Sequence, residues 1–305
     1  MKRLLISLLA FALPAVAADR KNILMIAGKP SHGPGQHEHN AGIQLLAKCL
    51  VESGLPLDVT SHLNAEWPSP EEMAKADSIV IYADGGGGHP ALQGDHLAQL
   101  GKEMKRGAGF VCLHYAVEVP VTPGGVEFKE WLGGYFEPNW SVNPHWEADF
   151  QSLPPHPVTN GVKPFATRDE WYFHMRFRDG MTGVSPILTA IAPDSTMNRK
   201  DGPHEGNPFV REEVKNKVPQ HTAWTVQRDD GGRGFGFSGG HFHNGWGNND
   251  QRKLVLNAIL WTAKGEVPTD GVSSTVTGDD LKLNLDPKPG QGLPEKPKPA
   301  PAPIK

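Results

Sequence analysis

Histidine, whose side chain titrates closest to neutral pH, recurs in four short stretches of this 305-residue sequence. The stretches are residues 28–40, 84–89, 113–116 and 239–246, and each directly follows an apolar run of strand length. A fifth stretch, residues 169–172, adds two carboxylates and two aromatic rings. Imidazoles and carboxylates are the groups used in acid–base catalysis and in metal binding. The candidate functional residues therefore lie in these five stretches.

His114 is the strongest candidate, because it immediately follows an apolar run, where many α/β enzymes place a nucleophile on a sharp turn. An imidazole at this position either transfers protons or holds the turn by hydrogen bonding. We predict His114 as the catalytic acid–base group, with Glu170 and His241 as its partners or as ligands of sugar hydroxyls. Cys112 is predicted to point into the sheet and is the less favoured nucleophile.

Metal binding and sugar binding are the two roles predicted for the remaining candidates. His37 and His39 lie two residues apart, a spacing at which imidazoles can share a divalent ion such as zinc or manganese. The alternative is that both make hydrogen bonds at the start of the next helix. Aromatic faces and polar groups together suit a sugar. The predicted sugar-contacting residues are His32, Asp84, His89, Tyr115, Trp171, His243 and Trp246.

Alternating strand-like and helix-like segments in the first half must position these residues. The predicted strands are residues 22–27, 57–63, 78–83 and 109–113, and the predicted helices are residues 41–53, 70–76 and 96–106. This alternation predicts an α/β fold with a doubly wound, mostly parallel sheet. Ligands bind beyond the carboxyl ends of the strands in such sheets. The histidine-rich stretches are therefore expected to share one edge.

The second half is less regular and predicts strands added at a sheet edge. The predicted strands are residues 145–151, 170–178, 187–192, 221–227 and 234–238, and a closing helix is predicted over residues 250–264. Beyond residue 265 the periodicity is lost, and seven prolines fall between residues 287 and 303. We predict one domain over residues 21–271, followed by a proline-rich, disordered tail over residues 272–305.

Residues 1–17 have the basic start, apolar stretch and small-residue end of a cleaved secretory signal, which predicts a periplasmic or secreted protein. An uncleaved anchor is the alternative, although the apolar stretch is short for a membrane span.

Without residues 1–17, the sequence has 28 Lys and Arg and 34 Asp and Glu. This acidic balance favours neither nucleic acid nor anionic lipid. The expected partner is a small carbohydrate, and a homo-oligomer is one arrangement that the sequence allows.

Taken together and in order, the motifs resemble those of the trehalose-utilisation (ThuA-like) family. The matching motifs are residues 32–33, 37–42, 109–114, 169–172 and 232–241. The likeness extends over residues 21–271. It implies a flavodoxin-like fold similar to class I glutamine amidotransferases, and a role in carbohydrate metabolism on 3-keto glycosides or their products.

The sequence departs from the amidotransferase pattern at the turn after the fourth strand, where His114 stands in place of cysteine. Glutamine hydrolysis through a Cys-His-Glu triad is therefore disfavoured. The leading hypothesis is a carbohydrate-active hydrolase, lyase or isomerase that acts on a keto-sugar by histidine acid–base chemistry. The two rivals are a non-catalytic carbohydrate-binding protein and a metal-dependent hydrolase.

Cys49 and Cys112 are the only cysteines, and both lie in apolar segments. Such positions favour buried thiols over a disulfide framework. A bridge between the two is the alternative in an oxidising compartment.

Overall fold

The computed structural model describes residues 19–288. The predicted signal and residues 289–305 of the predicted tail lie outside the described residues. The strands are β1 (Lys21–Ala27), β2 (Leu57–His62), β3 (Ser78–Tyr82), β4 (Gly109–Leu113), β5 (Gly134–Tyr135), β6 (His145–Phe150), β7 (Phe165–Glu170), β8 (Arg176–Phe177), β9 (Val184–Ala190), β10 (Gln220–Gln227) and β11 (Arg233–Phe237). The helices are α1 (His39–Glu52), α2 (Pro70–Lys75), α3 (His96–Lys105), α4 (Val126–Trp131), α5 (Pro208–Lys215) and α6 (Asn249–Thr262). None of these helices has the length and apolarity needed to cross a bilayer.

Seven strands form the central sheet, in the order β2-β1-β3-β4-β11-β10-β9. The first five run parallel, and β10 and β9 add antiparallel strands at one edge. The parallel part has the 2-1-3-4-5 order of flavodoxin-like sheets. The predicted α/β fold, a flavodoxin-like and mostly parallel sheet with added edge strands, is confirmed.

Both faces of the sheet are covered, which explains why β1 is an unbroken apolar run. Ile23 and Met25 pack into the layer that contains α1 and α6, whereas Leu24 and Ile26 pack into the layer that contains α2 and α3. Successive side chains of a strand point to opposite faces, so each face of β1 has its own core. Cys49 and Cys112 are buried, free thiols in opposite layers.

The strand predicted over residues 170–178 is wrong. Strand β7 ends at Glu170 and pairs with β6 in a separate two-stranded sheet, and only Arg176 and Phe177 form β8. The extended run is interrupted where His174 adopts a left-handed backbone, with φ of 57°. Helices α4 and α5 were not predicted, because six and eight residues are too few for a clear helical period.

The prediction of a disordered tail is wrong for residues 272–288, which we term the C-terminal segment. Val272, Asp286 and Lys288 are all buried in this segment. The backbone N–H of Asp286 donates to Glu38 Oε2 at 2.6 Å. Composition suggested a solvated chain, but polar contacts with a loop about 250 residues away hold the segment on the domain.

Candidate functional site

Four buried side chains from distant parts of the chain meet at the carboxyl ends of the parallel strands. They are His37, His114, Glu170 and His241, and each offers a nitrogen or oxygen atom within 4.8 Å of those of the others. His37 follows β1, His114 follows β4, His241 follows β11, and Glu170 ends β7. We term this group the histidine cluster. It lies at the edge of the sheet where flavodoxin-like proteins bind their ligands.

Short distances join the members of the histidine cluster. The Nε2 atom of His37 lies 3.0 Å from His114 Nε2 and 3.0 Å from His241 Nδ1. The Oε2 atom of Glu170 lies 2.9 Å from His241 Nδ1 and 3.5 Å from His114 Nε2. The hydroxyl of Tyr172 lies 3.2 Å from His114 Nε2 and 3.3 Å from Glu170 Oε2. Each member therefore contacts two other members of the cluster.

Hydrogen bonds to the outer nitrogens define the tautomers of two rings. His37 Nδ1 donates to Asp84 Oδ1 at 2.7 Å, and His114 Nδ1 donates to the backbone carbonyl of Ser238 at 2.8 Å. Carbonyl and carboxylate oxygens only accept hydrogen bonds, so both Nδ1 atoms carry the proton. In the neutral form of each ring, the lone pair of Nε2 points into the cluster.

The charges of the cluster follow from burial and hydrogen bonding. Burial lowers the pKa of His37 to about 2, although the hydrogen bond with Asp84 opposes this shift. Burial would raise the pKa values of Asp84 and Glu170, but hydrogen bonds from histidines outweigh it and hold both pKa values well below their usual range. At neutral pH the site therefore combines a neutral His37 with two carboxylates.

Three histidines of the site have left-handed backbones: φ is 58° at His32, 44° at His37 and 55° at His114. The sharp turn at His114 is the one expected after β4. A residue other than glycine in this region costs about 1–3 kcal/mol, and such strain concentrates at functional sites. The surrounding fold must therefore hold these three residues in place.

Backbone contacts tie together the two loops that carry His37 and His241. The N–H of His37 donates to the carbonyl of His241 at 3.0 Å, and the N–H of His243 donates to the carbonyl of Gly35 at 2.9 Å. These bonds explain why the loops after β1 and β11 lie side by side, although about 200 residues separate them in the chain.

Asp169 fixes the backbone around Glu170 and His241. Its carboxylate accepts from the N–H groups of Gly240 at 2.7 Å, His241 at 3.0 Å and Glu170 at 2.8 Å. The Asp169 side chain is buried, so these bonds do not compete with water. We expect Asp169 to act as a positioning residue for both neighbours.

Asp169→Asn is expected to lower the free energy of unfolding by about 2–3 kcal/mol. An amide nitrogen cannot accept, so at least one of the three N–H groups loses its partner. Urea unfolding measures the change, and Asp149→Asn on the exposed side of β6 is the control, expected to change the stability by no more than about 0.5 kcal/mol. Wild-type stability of the Asp169 variant would contradict the positioning role.

The C-terminal segment holds the loop that carries His37. The ammonium group of Lys288 donates to the backbone carbonyls of Ser31 at 2.7 Å and Gln36 at 2.9 Å, and it lies 3.7 Å from the buried carboxylate of Glu38. A buried charge is stable only when its partners are present. Lys288 therefore links the end of the domain to the geometry of the site.

Lys288→Met is expected to cost about 3 kcal/mol, because it leaves the Glu38 carboxylate buried without its cation. Hydrogen exchange of the peptide covering residues 31–38 should accelerate. Lys282→Met, which changes an exposed lysine of the same segment, should leave this exchange rate unchanged. Equal exchange in both variants would contradict the role of Lys288.

Three predicted residues and one that was not predicted surround the cluster. The ring of His32 stacks on His37 at 3.6 Å between centroids, and Asp84 and Tyr115 are half-buried beside it. His145 was not predicted as a site residue, and its Nε2 lies 3.5 Å from Glu170 Oε1. The side chains of His32 and His145 are 40% and 39% exposed, so these two imidazoles can reach a ligand.

The sugar-stacking role predicted for Trp171 and Trp246 is wrong. Both side chains are fully buried in the hydrophobic core, and Trp171 Nε1 donates to the carbonyl of Thr167. Their polar neighbours suggested exposure, but Trp171 packs against Phe150 and Phe237, and Trp246 packs against Tyr82 and Phe237. Neither ring presents a face to a sugar.

His39, His89 and His243 lie outside the cluster. The ring nitrogens of His89 bond to backbone atoms of Ala116 and Ala91, and His39 Nδ1 bonds to the carbonyl of Lys29. His243 is buried in the turn that packs on Asp280–Lys282. Burial lowers the pKa of all three to about 4. His37 and His39 both approach Asp84 Oδ1, at 2.7 and 3.7 Å, but His39 does not join the group of four clustered ligand atoms. His89 and His243 are buried and do not reach a ligand.

A polar cavity of about 490 Å³ adjoins Glu170 and was not predicted. Asn143 and residues 199–205 line it. Asn143 Nδ2 donates to Glu170 Oε1 at 3.0 Å, and Arg199 donates to Asn143 Oδ1 at 2.9 Å. His204, also in the lining, hydrogen-bonds the carboxylate of Glu118, which raises the pKa of His204. Residues 199–205 show no hydrophobic periodicity and no recognisable motif, so nothing in the sequence indicated this cavity.

Comparison with known proteins identifies the family. The ThuA family, described as trehalose utilisation, matches residues 22–262. A protein from Bacteroides uniformis described as ThuA-like has a TM-score of 0.55 and 17% identity, covering 82% of this chain and 95% of that chain. The glutaminase domain of CTPS from Trypanosoma brucei, with bound acivicin, has a TM-score of 0.45 and 9% identity, covering 82% and 97%. Among curated proteins, none matches this sequence. Because the family match spans most of the sequence, the chain belongs to the ThuA family of trehalose-utilisation proteins.

Proposed function

We propose that this protein is an exported enzyme of carbohydrate metabolism that acts on a 3-keto glycoside or a derived keto-sugar. The observation that carries the proposal is the convergence of buried, strained imidazoles and a carboxylate beside two half-exposed imidazoles at the ligand-binding edge of the sheet. Family membership supplies the link to carbohydrates. Strain and strongly shifted pKa values are typical of catalytic sites, whereas sugar binding needs neither.

The cavity beside Glu170 supports a sugar as the ligand. Asn143, Arg199 and His204 offer hydrogen-bonding groups suited to hydroxyl and carbonyl oxygens. Asn143 bonds directly to Glu170, so a ligand in the cavity would lie next to the histidine cluster. Polar recognition of this kind replaces the aromatic stacking that the sequence suggested.

The proposed reaction begins with proton removal next to the keto group, which acidifies the neighbouring C–H bond. An imidazole takes the proton, and the electron pair moves onto the keto oxygen as an enolate. When the electron pair returns from the keto oxygen, a double bond forms between the deprotonated carbon and the carbon that carries the glycosidic oxygen. The glycosidic oxygen leaves, and a second imidazole protonates it. The products are an unsaturated keto-sugar and an alcohol, so atoms and electrons balance.

His145 and His32 are better placed than His114 for these proton transfers. His114 is fully buried, and its Nε2 faces His37, Glu170 and Tyr172. The two half-exposed rings lie 4.9 and 6.0 Å from the ring of His241. We therefore assign proton transfer to His145 and His32, and positioning of the keto-sugar beside their rings to the histidine cluster.

Turnover of a 3-keto disaccharide, followed by NMR beside the unoxidised parent sugar, tests the proposal. We expect consumption of the keto-sugar only, and a loss of at least about 100-fold for His145→Gln. His96→Gln is the matched control, since His96 lies on α3 outside the site. Binding of the keto-sugar without any consumption would instead support the non-catalytic carbohydrate-binding protein.

A further inference from the structure

The histidine cluster has the composition and spacing of a metal-binding site. We propose that His37 Nε2, His114 Nε2, His241 Nδ1 and Glu170 Oε2 bind one divalent transition-metal ion, with zinc as the best chemical fit. Three imidazoles and one carboxylate are ligands that suit zinc, iron, nickel or copper better than magnesium or calcium.

The distances between the four atoms fit a single ion. Zinc–nitrogen bonds of about 2.0–2.1 Å place tetrahedral ligand atoms roughly 3.3 Å apart. The contacts of His37 with His114 and His241 are both 3.0 Å, and those of Glu170 with His241 and His114 are 2.9 and 3.5 Å. Shifts of a few tenths of an ångström would accommodate the ion.

A cation would stabilise the lone pairs that point into the cluster. Asp84 and the carbonyl of Ser238 fix protons on the two Nδ1 atoms, so in the neutral form of both rings the Nε2 lone pairs of His37 and His114 face each other at 3.0 Å. Two such acceptors repel in a buried site. An ion bound between the two nitrogens would be coordinated by both lone pairs, which removes the repulsion.

The hydrogen-bond partners of the ligand histidines are those expected of a metal site. Metal-binding histidines usually donate their second nitrogen to a carboxylate or a backbone carbonyl. Asp84 provides the carboxylate for His37, and Ser238 provides the carbonyl for His114. His241 Nε2 is buried and has no partner within residues 19–288, which leaves it free to carry a proton when Nδ1 binds the ion.

The site differs from the pair that the sequence suggested. His37 is retained, but His39 is replaced by residues from three other segments, because no ring nitrogen of His39 lies within 4.8 Å of all the other ligand atoms. The role of the ion in turnover rests on the proposed function, whereas its binding does not. In turnover the ion would stabilise the negative charge on the keto oxygen of the substrate.

Metal content of the full-length protein, purified without a metal-affinity step, tests the inference. We expect about one equivalent of a divalent transition metal by elemental analysis, removal by dialysis against chelator, and rebinding of zinc in a calorimetric titration. His114→Gln should weaken zinc binding by more than the 10–100-fold that loss of an outer partner costs. His96→Gln should bind zinc like the wild type.

The outcomes separate this inference from the proposed function. The metal site would be overturned if the wild-type protein were metal-free and also failed to bind zinc, manganese, iron, cobalt, nickel or copper. This holds even if the protein turned over the keto-sugar. Bound metal without turnover would uphold the site and count against the enzyme. Circular dichroism of His114→Gln checks that lost binding does not reflect unfolding, and wild-type zinc binding by this variant would overturn the ligand assignment.

Discussion

His114→Ala is expected to lower turnover of the keto-sugar by about 100-fold, the loss that misplacement of a substrate by about 1 Å can cause. The imidazole of His114 contacts His37, Glu170 and Tyr172, so its removal opens the centre of the histidine cluster. Alanine can occupy the same left-handed turn, with φ of 55° in the wild type. The fold should therefore persist.

Steady-state kinetics measures the loss, and the cooperativity of urea unfolding checks the fold. His96→Ala serves as the control, because it removes an imidazole from α3 at a distance from the cluster. Full activity of His114→Ala would remove His114 from the site. Collapse of the fold in this variant would show that His114 is needed mainly for structure.

Removal of the metal is expected to lower the melting temperature by about 8–16 °C. An ion present at 1,000 times its dissociation constant contributes about 4 kcal/mol to the free energy of unfolding. For a domain of this size, each kcal/mol shifts the melting temperature by roughly 2–4 °C. The ligands come from four distant segments, so the ion would link parts of the chain that otherwise separate on unfolding.

Calorimetric melting with zinc and with excess chelator measures this shift. His114→Gln should melt at nearly the same temperature in both conditions, because the ion no longer contributes. Identical melting curves of the wild-type protein with and without chelator would contradict the stabilising role of the ion.

The sheet was predictable because its signals are local. Strand β4 matches its predicted residues 109–113, and β1, β2 and β3 differ from theirs by one residue each. Except for β2, each of these segments is almost continuously apolar. Since parallel strands bring their carboxyl ends to one edge, the segments that carry His37, His114 and His241 could also be expected to meet.

The parts of the site that were missed depend on tertiary packing. His145 was placed correctly in a strand, but which of its neighbours it would meet is decided by the pairing of β6 with β7. Trp171 resembles a sugar-binding aromatic residue because polar residues precede it, yet its side chain is buried in the hydrophobic core. Lys288 lies in a proline-rich, polar context, and only its contacts with the loop after β1 reveal that it is buried.

A crystal structure with diffraction data collected at a metal absorption edge would locate the ion. We expect one anomalous peak within about 2.0–2.2 Å of His37 Nε2, His114 Nε2, His241 Nδ1 and Glu170 Oε2. No peak at this position in crystals grown with zinc, or a water molecule bonded between these atoms instead, would contradict this expectation.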